Sequence, residues 1–187
     1  MQKKFLLGTT AAVVLAAGTF GAVSANASNA SSAAQAAPAA AAAAKKADAD
    51  RDDLRQDTHL TIEAATKAAQ ATLKAAEKEN QRVSVAVVDR NGNTIVTLRG
   101  DGAGPQSYES AERKAYTAVS WNAPTSVLAG RLAQAPNLKD IPGTLFLGGG
   151  APVTANGAPI AGIGVAGAPS GDLDEKFAQA GVASLND

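Results

Sequence analysis

The spacing of small apolar residues after residue 59 predicts the first helix, in LTIEAATKAAQATLKAAEKEN. The apolar positions recur at steps of three or four: Leu60, Ala64, Ala68, Ala71 and Ala75. Thr61 is the expected N-cap, and Glu63 places negative charge in the first turn, where the helix dipole favours it. Because most of these residues are alanine, we expect the helix to lie close to a sheet or another helix.

Alternating and β-branched runs predict strands further along the chain. VSVAVVDR and TIVTLRG flank Asn91-Gly92, a preferred turn pair, and together predict a β-hairpin. After a turn at Pro142-Gly143, TLFL predicts a short strand and GGG predicts a loop. A second Asn-Gly turn precedes APIAGIGVAGA, a strand whose glycines suggest that another element approaches its backbone closely.

Three more helices complete the predicted order. SYESAERKAYTAVSW extends to Asn122, APTSVLAGRLAQA begins with Thr125 or Ser126 as cap, and SGDLDEKFAQAGVASL begins with Ser170 as cap. The element order is therefore α-β-β-α-α-β-β-α. Paired strands between helices favour an α+β fold, in which helices lie against an antiparallel sheet, over a doubly wound parallel sheet.

The first 50 residues differ in pattern from the rest of the chain. Lys3 and Lys4 precede an apolar run over residues 5–23, and ANA at residues 25–27 fits a small-x-small cleavage site, which predicts a secretory signal peptide over residues 1–27. A retained membrane anchor is the alternative. Residues 28–50 form an Ala-rich leader without a large apolar residue to bury. We therefore expect a secreted protein with one folded domain over residues 51–187.

Composition removes several classes of function. The chain has no cysteine, one histidine, and a single methionine at position 1, so disulfides and thiol redox chemistry are excluded. Its formal net charge is +0 and no basic stripe is visible, so nucleic acid is not an expected partner. The lack of a Ser-His-Asp set or a histidine cluster leaves no predicted catalytic residue.

The stretch SYESAERKAYTA places four polar side chains on one helix face. Glu109, Glu112, Arg113 and Tyr116 follow the i, i+3, i+4, i+7 spacing. One interpretation is a solvated face on which Glu109 and Arg113 form an i,i+4 ion pair. The other is a Glu-x-x-Glu pair whose Cβ atoms, about 5–6 Å apart, converge on one hard cation. Both can hold, because a cation would displace Arg113.

The motifs VAVVDRNG, AERKAYTA and GGGAPV, in that order, resemble the GlcG/HbpS family across nearly the whole folded domain. The resemblance is nearest to its secreted, haem-binding members. It implies an α-β-α sandwich with an antiparallel sheet in profilin-like order, and homo-oligomers up to the octamer. It also implies haem and iron as ligands, and association with a membrane sensor histidine kinase of a redox-responsive two-component system.

The resemblance also implies site residues. Its haem-lining loop matches IPGTLFLGGG, so Thr144 is a candidate for haem binding, although it could simply start a strand. His59, the only imidazole, is a second candidate, because haem iron is usually held by His, Cys, Met or Tyr. Glu109 and Glu112 are the candidates for iron. A hydroxyl is a weak iron ligand, so haem at Thr144 should be readily released.

Three functions agree with these observations. The first is a secreted haem- and iron-binding oligomer that acts as a redox- or haem-sensing accessory to a membrane sensor kinase. The second is a haem-degrading enzyme, and the third is a haem or iron storage oligomer without signalling. The scarcity of catalytic groups favours binding over catalysis.

Overall fold

The computed structural model describes residues 48–186, and the described residues from Ala49 onward belong to one compact unit. The predicted signal peptide and most of the predicted leader, up to residue 47, lie outside the described residues. Within the described part of the chain, no helix has the length and apolar character needed to span a membrane.

The elements occur in the predicted order. The helices are α1 (Ile62–Lys78), α2 (Ser107–Trp121), α3 (Thr125–Arg131) and α4 (Gly171–Ala183). The strands are β1 (Ser84–Asp89), β2 (Thr94–Arg99), β3 (Gly150–Ala155) and β4 (Ala158–Ala166). Short 3-10 helices cover Arg51–Asp53 and Pro136–Asp140. The order α-β-β-α-α-β-β-α is confirmed for the α-helices and strands.

The four strands form one antiparallel sheet in the order β2-β1-β4-β3. The predicted hairpin pairs β1 with β2, with Val85 opposite Leu98, and β4 pairs with the other side of β1. Asn156 and Gly157 connect β3 to β4 with φ angles of 52° and 79°, the positive values that a tight two-residue hairpin turn requires. The predicted antiparallel α+β fold is confirmed.

Helices cover both faces of the sheet, as the resemblance implied. Helices α1 and α4 cover one face, over a core that includes Val83, Val85, Val87, Ile163, Val165 and Phe177. Helix α2 covers the other face, over a smaller core that includes Ala86, Val88, Ala111, Ala115 and Val119. Along β1, odd-numbered side chains therefore point to α1 and α4, and even-numbered side chains point to α2.

Glycines in β4 allow α2 to lie directly on the sheet backbone. A Cβ atom at Gly162 would collide with the carbonyl oxygen of Ala115, and one at Gly164 with the carbonyl oxygen of Ala111. The prediction that another element approaches this strand closely is confirmed. The small inner face of α2 leaves its larger polar residues on the opposite, outward face.

The predicted strand at TLFL is wrong. Residues 144–147 have no strand structure, and β3 begins only at Gly150. The backbone of this segment bonds to side chains of α2 instead of a neighbouring strand: the Leu145 N–H donates to Thr117 Oγ1, and the Thr144 carbonyl accepts from Arg113. The segment is therefore a loop fixed to a helix.

Two helix details also differ from the prediction. The N-cap of α3 is Pro124, not Thr125 or Ser126. The N–H and hydroxyl of Ser126 donate to the carboxylate of Glu175 at 2.9 and 2.6 Å, so a distant glutamate satisfies the start of this helix. On α1 the buried stripe is rotated from the predicted one and consists of Ala65, Ala68, Ala69, Thr72 and Ala76.

Candidate functional site

The outward face of α2 holds the predicted cluster of polar side chains. Glu109 lies in the first turn with its side chain 78% exposed, whereas Glu112, Arg113 and Tyr116 are partly buried. Thr97 on β2 donates a hydrogen bond of 3.1 Å to Glu112 Oε1. The two carboxylates therefore differ, because Glu112 is fixed against the sheet and Glu109 extends into solvent.

Arg113 contacts the Glu109 carboxylate and the loop beyond α3. Its Nη1 lies 3.8 Å from Glu109 Oε1, which confirms the predicted i,i+4 pair as a long and exposed contact. Its Nη2 donates a shorter hydrogen bond of 2.8 Å to the carbonyl oxygen of Thr144. The guanidinium is thus held more firmly by the loop than by Glu109.

An open groove of about 280 Å³ lies beside this face. It is lined by Val88, Thr94, Glu112, Arg113, Tyr116 and two turn glycines. Cβ atoms added at these glycines, Gly92 and Gly143, would lie 2.8 and 3.6 Å from opposite edges of the Tyr116 ring. The phenol ring is therefore held between the β1–β2 turn and the Pro142-Gly143 turn.

Thr144 lies in the loop beside the groove, with its side chain turned inward. The residue is 1% exposed, and its hydroxyl donates a hydrogen bond of 2.7 Å to the carbonyl oxygen of Ile141. Ile141 and Leu147, on either side of it, are 40% and 58% exposed. The closed loop therefore presents apolar side chains to solvent, and a ligand could reach the hydroxyl only if the loop opened.

His59 lies elsewhere. Its side chain is 35% exposed, and its Nδ1 is 3.9 Å from Asp89 Oδ2. Asp89 follows the odd-numbered side of β1, towards α1 and α4, whereas Val88 lines the groove on the side of α2. Within one chain, the structure brings Glu109, Glu112 and Thr144 near one another through Arg113, but it does not bring His59 to them.

Asp89 organises the β1–β2 turn. Its Oδ1 accepts the N–H groups of Asn91 and Asn93 at 2.8 and 2.9 Å. Burial raises the pKa of this carboxyl, but the hydrogen bonds from Asn93 and Asn91 outweigh that effect and hold the pKa of Asp89 below its usual value. The carboxylate therefore stays ionised and keeps the turn that bounds the groove.

A buried ion pair that the sequence did not predict ties α2 to α4. Lys114 Nζ lies 2.9 Å from Asp174 Oδ2, the two side chains are 6% and 5% exposed, and the ammonium also donates to the Val165 carbonyl. Burial raises the pKa of Asp174 even though Lys114 opposes the change. The signal available in the sequence was a lysine on the alanine-rich inner face of α2.

The possible metal ligands are few. Among residues 48–186, no three His, Cys, Asp or Glu side chains are grouped so that they could hold a metal ion. Glu109 and Glu112 would offer a hard cation two carboxylates, and water would complete its coordination. Such a site would be weak and exposed.

Comparisons with known proteins identify relatives of this fold. The sequence model of the family described as "Haem degrading protein HbpS-like" matches residues 60–183. A crystal structure of Streptomyces reticuli HbpS, in which two glutamates three residues apart are replaced by aspartate, is 76% identical, with a TM-score of 0.74 over 75% of this chain and 97% of that one.

Two further structures extend the comparison. A crystal structure of HbpS is 78% identical, with a TM-score of 0.73 over 73% of this chain and 97% of that one. A crystal structure of a PduOC:haem complex is 27% identical, with a TM-score of 0.63 over 69% of this chain and 96% of that one.

Proposed function

This chain belongs to the HbpS-like family, and from that premise we propose that it is a secreted protein that binds haem and iron. We further propose that it acts as a redox- or haem-sensing accessory to a membrane sensor kinase, as a homo-oligomer such as an octamer. The observation that supports haem binding most directly is the shared fold with PduOC, which was solved as a haem complex.

We propose that haem binds against the loop that carries Thr144. Ile141 and Leu147 expose apolar surface there, which suits the apolar faces and edges of a porphyrin. If the loop opened, the Thr144 hydroxyl would offer an oxygen ligand to the haem iron, which would supply the redox chemistry. Because a hydroxyl binds iron weakly, release would be easy, and this suits sensing better than catalysis.

We propose that free iron binds at Glu109 and Glu112. This is the one pair of glutamates in the chain with a spacing of three residues. The Streptomyces reticuli HbpS variant carries two glutamate replacements with the same spacing, in a chain 76% identical to this one. The exposed Glu109 carboxylate can turn towards the fixed Glu112 carboxylate, so that both can contact one cation.

Titration of the purified protein with haemin tests the haem proposal. A saturable shift of the Soret band with a defined stoichiometry is expected. Thr144→Val, which keeps the shape and removes the hydroxyl, should change the Soret position and speed haem loss. The matched control Thr154→Val alters an exposed threonine of β3 and should behave like the parent protein. Parent-like spectra and off-rates in the Thr144 variant would remove Thr144 from the site.

Calorimetry with Fe²⁺ under anaerobic conditions tests the iron proposal. The double variant Glu109→Ala/Glu112→Ala should lose the weak iron binding, keep the haem Soret band, and lose less than about 1 kcal/mol of stability. The control Glu63→Ala/Glu77→Ala removes two exposed glutamates of α1 and should bind iron as the parent does. If the first double variant also binds as the parent does, the Glu-x-x-Glu face is only a solvated ion-pair surface.

The description of the family favours haem degradation as a second candidate function. Incubation of the haemin-loaded protein with ascorbate in air distinguishes the two. A binding protein keeps its Soret band, whereas a degrading enzyme loses it with time and releases iron to a chelator. Loss at the rate of free haemin would support neither function.

Secretion and assembly have separate tests. Lys3, Lys4 and the apolar run after them support export with cleavage after Ala27. Mass spectrometry of culture supernatant should find that shortened chain, and light scattering should find an oligomer. A full-length chain confined to membranes would contradict secretion, and a monomer alone would contradict the assembly.

A further inference from the structure

Among residues 48–186, Arg113 is the side chain seen in contact with both the proposed cation site, at Glu109, and the proposed haem site, at Thr144. Its Nη1 faces Glu109 Oε1 at 3.8 Å, and its Nη2 donates to the Thr144 carbonyl at 2.8 Å. Glu109 and Thr144 lie on different elements, so one guanidinium connects the carboxylate pair to the haem-lining loop. A change at either contact therefore alters the charge and hydrogen bonding that Arg113 offers to the other.

We propose that Arg113 makes two events exclude each other: occupancy of Glu109 and Glu112 by a hard divalent cation, and opening of the loop that exposes the Thr144 hydroxyl. The inference rests on the proposed function, because it needs a ligand at each site. It adds a negative coupling between cation and haem binding, and a residue that carries it.

The closed loop favours the cation. In this state the Thr144 carbonyl holds Arg113, and among residues 48–186 the carboxylate contact seen for the guanidinium is the long one to exposed Glu109. A cation can bind both carboxylates by displacing Arg113 from Glu109, while Glu112 Oε1 keeps its hydrogen bond from Thr97. Once bound, it repels the guanidinium and leaves the Thr144 carbonyl as its partner. Cation binding therefore holds the loop against α2.

The open loop disfavours the cation. When Thr144 moves away, Arg113 loses its carbonyl partner, and the bond from the Leu145 N–H to Thr117 Oγ1 breaks as well. The guanidinium then has only the carboxylates to pair with, and Glu109 lies four residues before it in the favourable order. A paired Arg113 competes with the cation. Because binding linkage is reciprocal, each ligand must weaken the other by the same factor.

The coupling is measured with haemin and Mn²⁺, a hard divalent cation that does not change oxidation state under the conditions. Haemin affinity is read from the Soret band at rising Mn²⁺, and Mn²⁺ affinity from the electron paramagnetic resonance signal of the free ion. The haemin Kd should rise and level off at a factor on the order of fivefold, and saturating haemin should raise the Mn²⁺ Kd equally. If both ligands bind and the haemin Kd stays flat, the inference is overturned. If either ligand fails to bind, the proposed function fails, and the coupling fails with it.

Variants of Arg113 test whether this residue carries the coupling. In Arg113→Met, each ligand should raise the Kd of the other by a factor of only about one. Mn²⁺ should bind more tightly because the competing guanidinium is gone, and haemin should associate faster because the loop has lost its contact with residue 113. Arg113→Lys, which keeps the charge and loses the planar fork, should retain an intermediate factor. Arg131→Met, which changes an exposed residue at the end of α3, is the control and should keep the parental factor. A parental factor in Arg113→Met would refute the assignment.

Hydrogen exchange gives a readout that does not need haem. The Leu145 amide is protected only while the loop lies against Thr117. Mn²⁺ should slow its exchange in the parent protein and should leave it unchanged in Arg113→Met. Equal slowing in both proteins would show that the cation acts on the loop without Arg113.

Discussion

Replacing Lys114 by methionine removes one partner of the buried ion pair and keeps the side-chain length. The Asp174 carboxylate then stays 5% exposed, with the Ala168 N–H as its nearest remaining donor at 3.0 Å. The Val165 carbonyl also loses the ammonium that it accepts at 2.9 Å. The substitution therefore leaves an uncompensated charge where α2 meets α4.

The expected loss at neutral pH is about 3–5 kcal/mol, the usual cost of breaking a buried pair from one side. Asp174 can reduce this cost by taking up a proton, because burial already raises its pKa above the ordinary value of 3.8. With a raised folded pKa, the folded state binds more protons than the unfolded state, so stability falls as pH rises through the window above 3.8. Without Lys114 the pKa of Asp174 in the folded state rises further, so this pH window extends to higher pH. The loss of stability caused by Lys114→Met should therefore become smaller on acidification.

Urea unfolding followed by fluorescence of Trp121, the single tryptophan, measures this loss. Lys176→Met is the matched control on α4: its ammonium lies 2.6 Å from Glu79, but the side chains are 62% and 39% exposed, so it should cost less than about 1 kcal/mol. The double variant Lys114→Met/Asp174→Asn should recover part of the loss. The reasoning is refuted if Lys114→Met costs no more than Lys176→Met at neutral pH, or if its cost grows at about pH 5.

Two further predictions concern the elements that bound the site. Gly164→Ala should cost about 1–3 kcal/mol in urea unfolding, because the new methyl group collides with α2, whereas Gly130→Ala, with no atom within 4 Å of the new Cβ, should be neutral or stabilising. Asp89→Ala should cost about 1.5–3 kcal/mol, because the carboxylate bonds in the turn are lost. The pKa of Asp89 is lowered in the fold, so its contribution to stability is present above pH 3.8 and is lost as pH falls through the folded pKa. Unfolding measured at acidic and at neutral pH should therefore show a smaller difference in stability between variant and parent at acidic pH.

Local signals predicted most of the secondary structure. The Thr61 hydroxyl accepts from the Ala64 N–H at 3.1 Å, and the Ser170 hydroxyl accepts from the Leu173 N–H at 3.2 Å, so both predicted caps are confirmed. These signals work because a cap is satisfied within one turn of chain. The buried stripe of α1 was predicted at the wrong positions, because alanine occupies nearly every side of the helix and spacing alone could not select the buried side.

Contacts between distant parts of the chain explain what was missed. TLFL has strand-like residues, but its backbone groups are paired with Arg113 and Thr117 of α2. Similarly, Glu175 satisfies the start of α3 from 49 residues away. No spacing in the sequence encodes such pairings, because they depend on which elements the sheet brings side by side. For the same reason the contact between Arg113 and Thr144 could not be predicted, although the sequence analysis had singled out both residues.

The glycines of β4 determine how closely α2, which carries the site residues, packs on the sheet. Ala111 and Ala115 meet glycine backbone without a side chain between them, so the distance of the helix from the sheet is set by van der Waals contact between the two backbones. Arg113 extends from that helix to a loop whose position depends on the 2.8 Å contact with Thr144. A methyl group at Gly164 would shift α2 outward and lengthen this contact as well as lower stability. Faster exchange of the Leu145 amide in Gly164→Ala than in Gly130→Ala, measured with urea added to the Gly130→Ala sample until both variants have the same free energy of unfolding, would therefore show that the packing of α2 on β4 holds the loop closed.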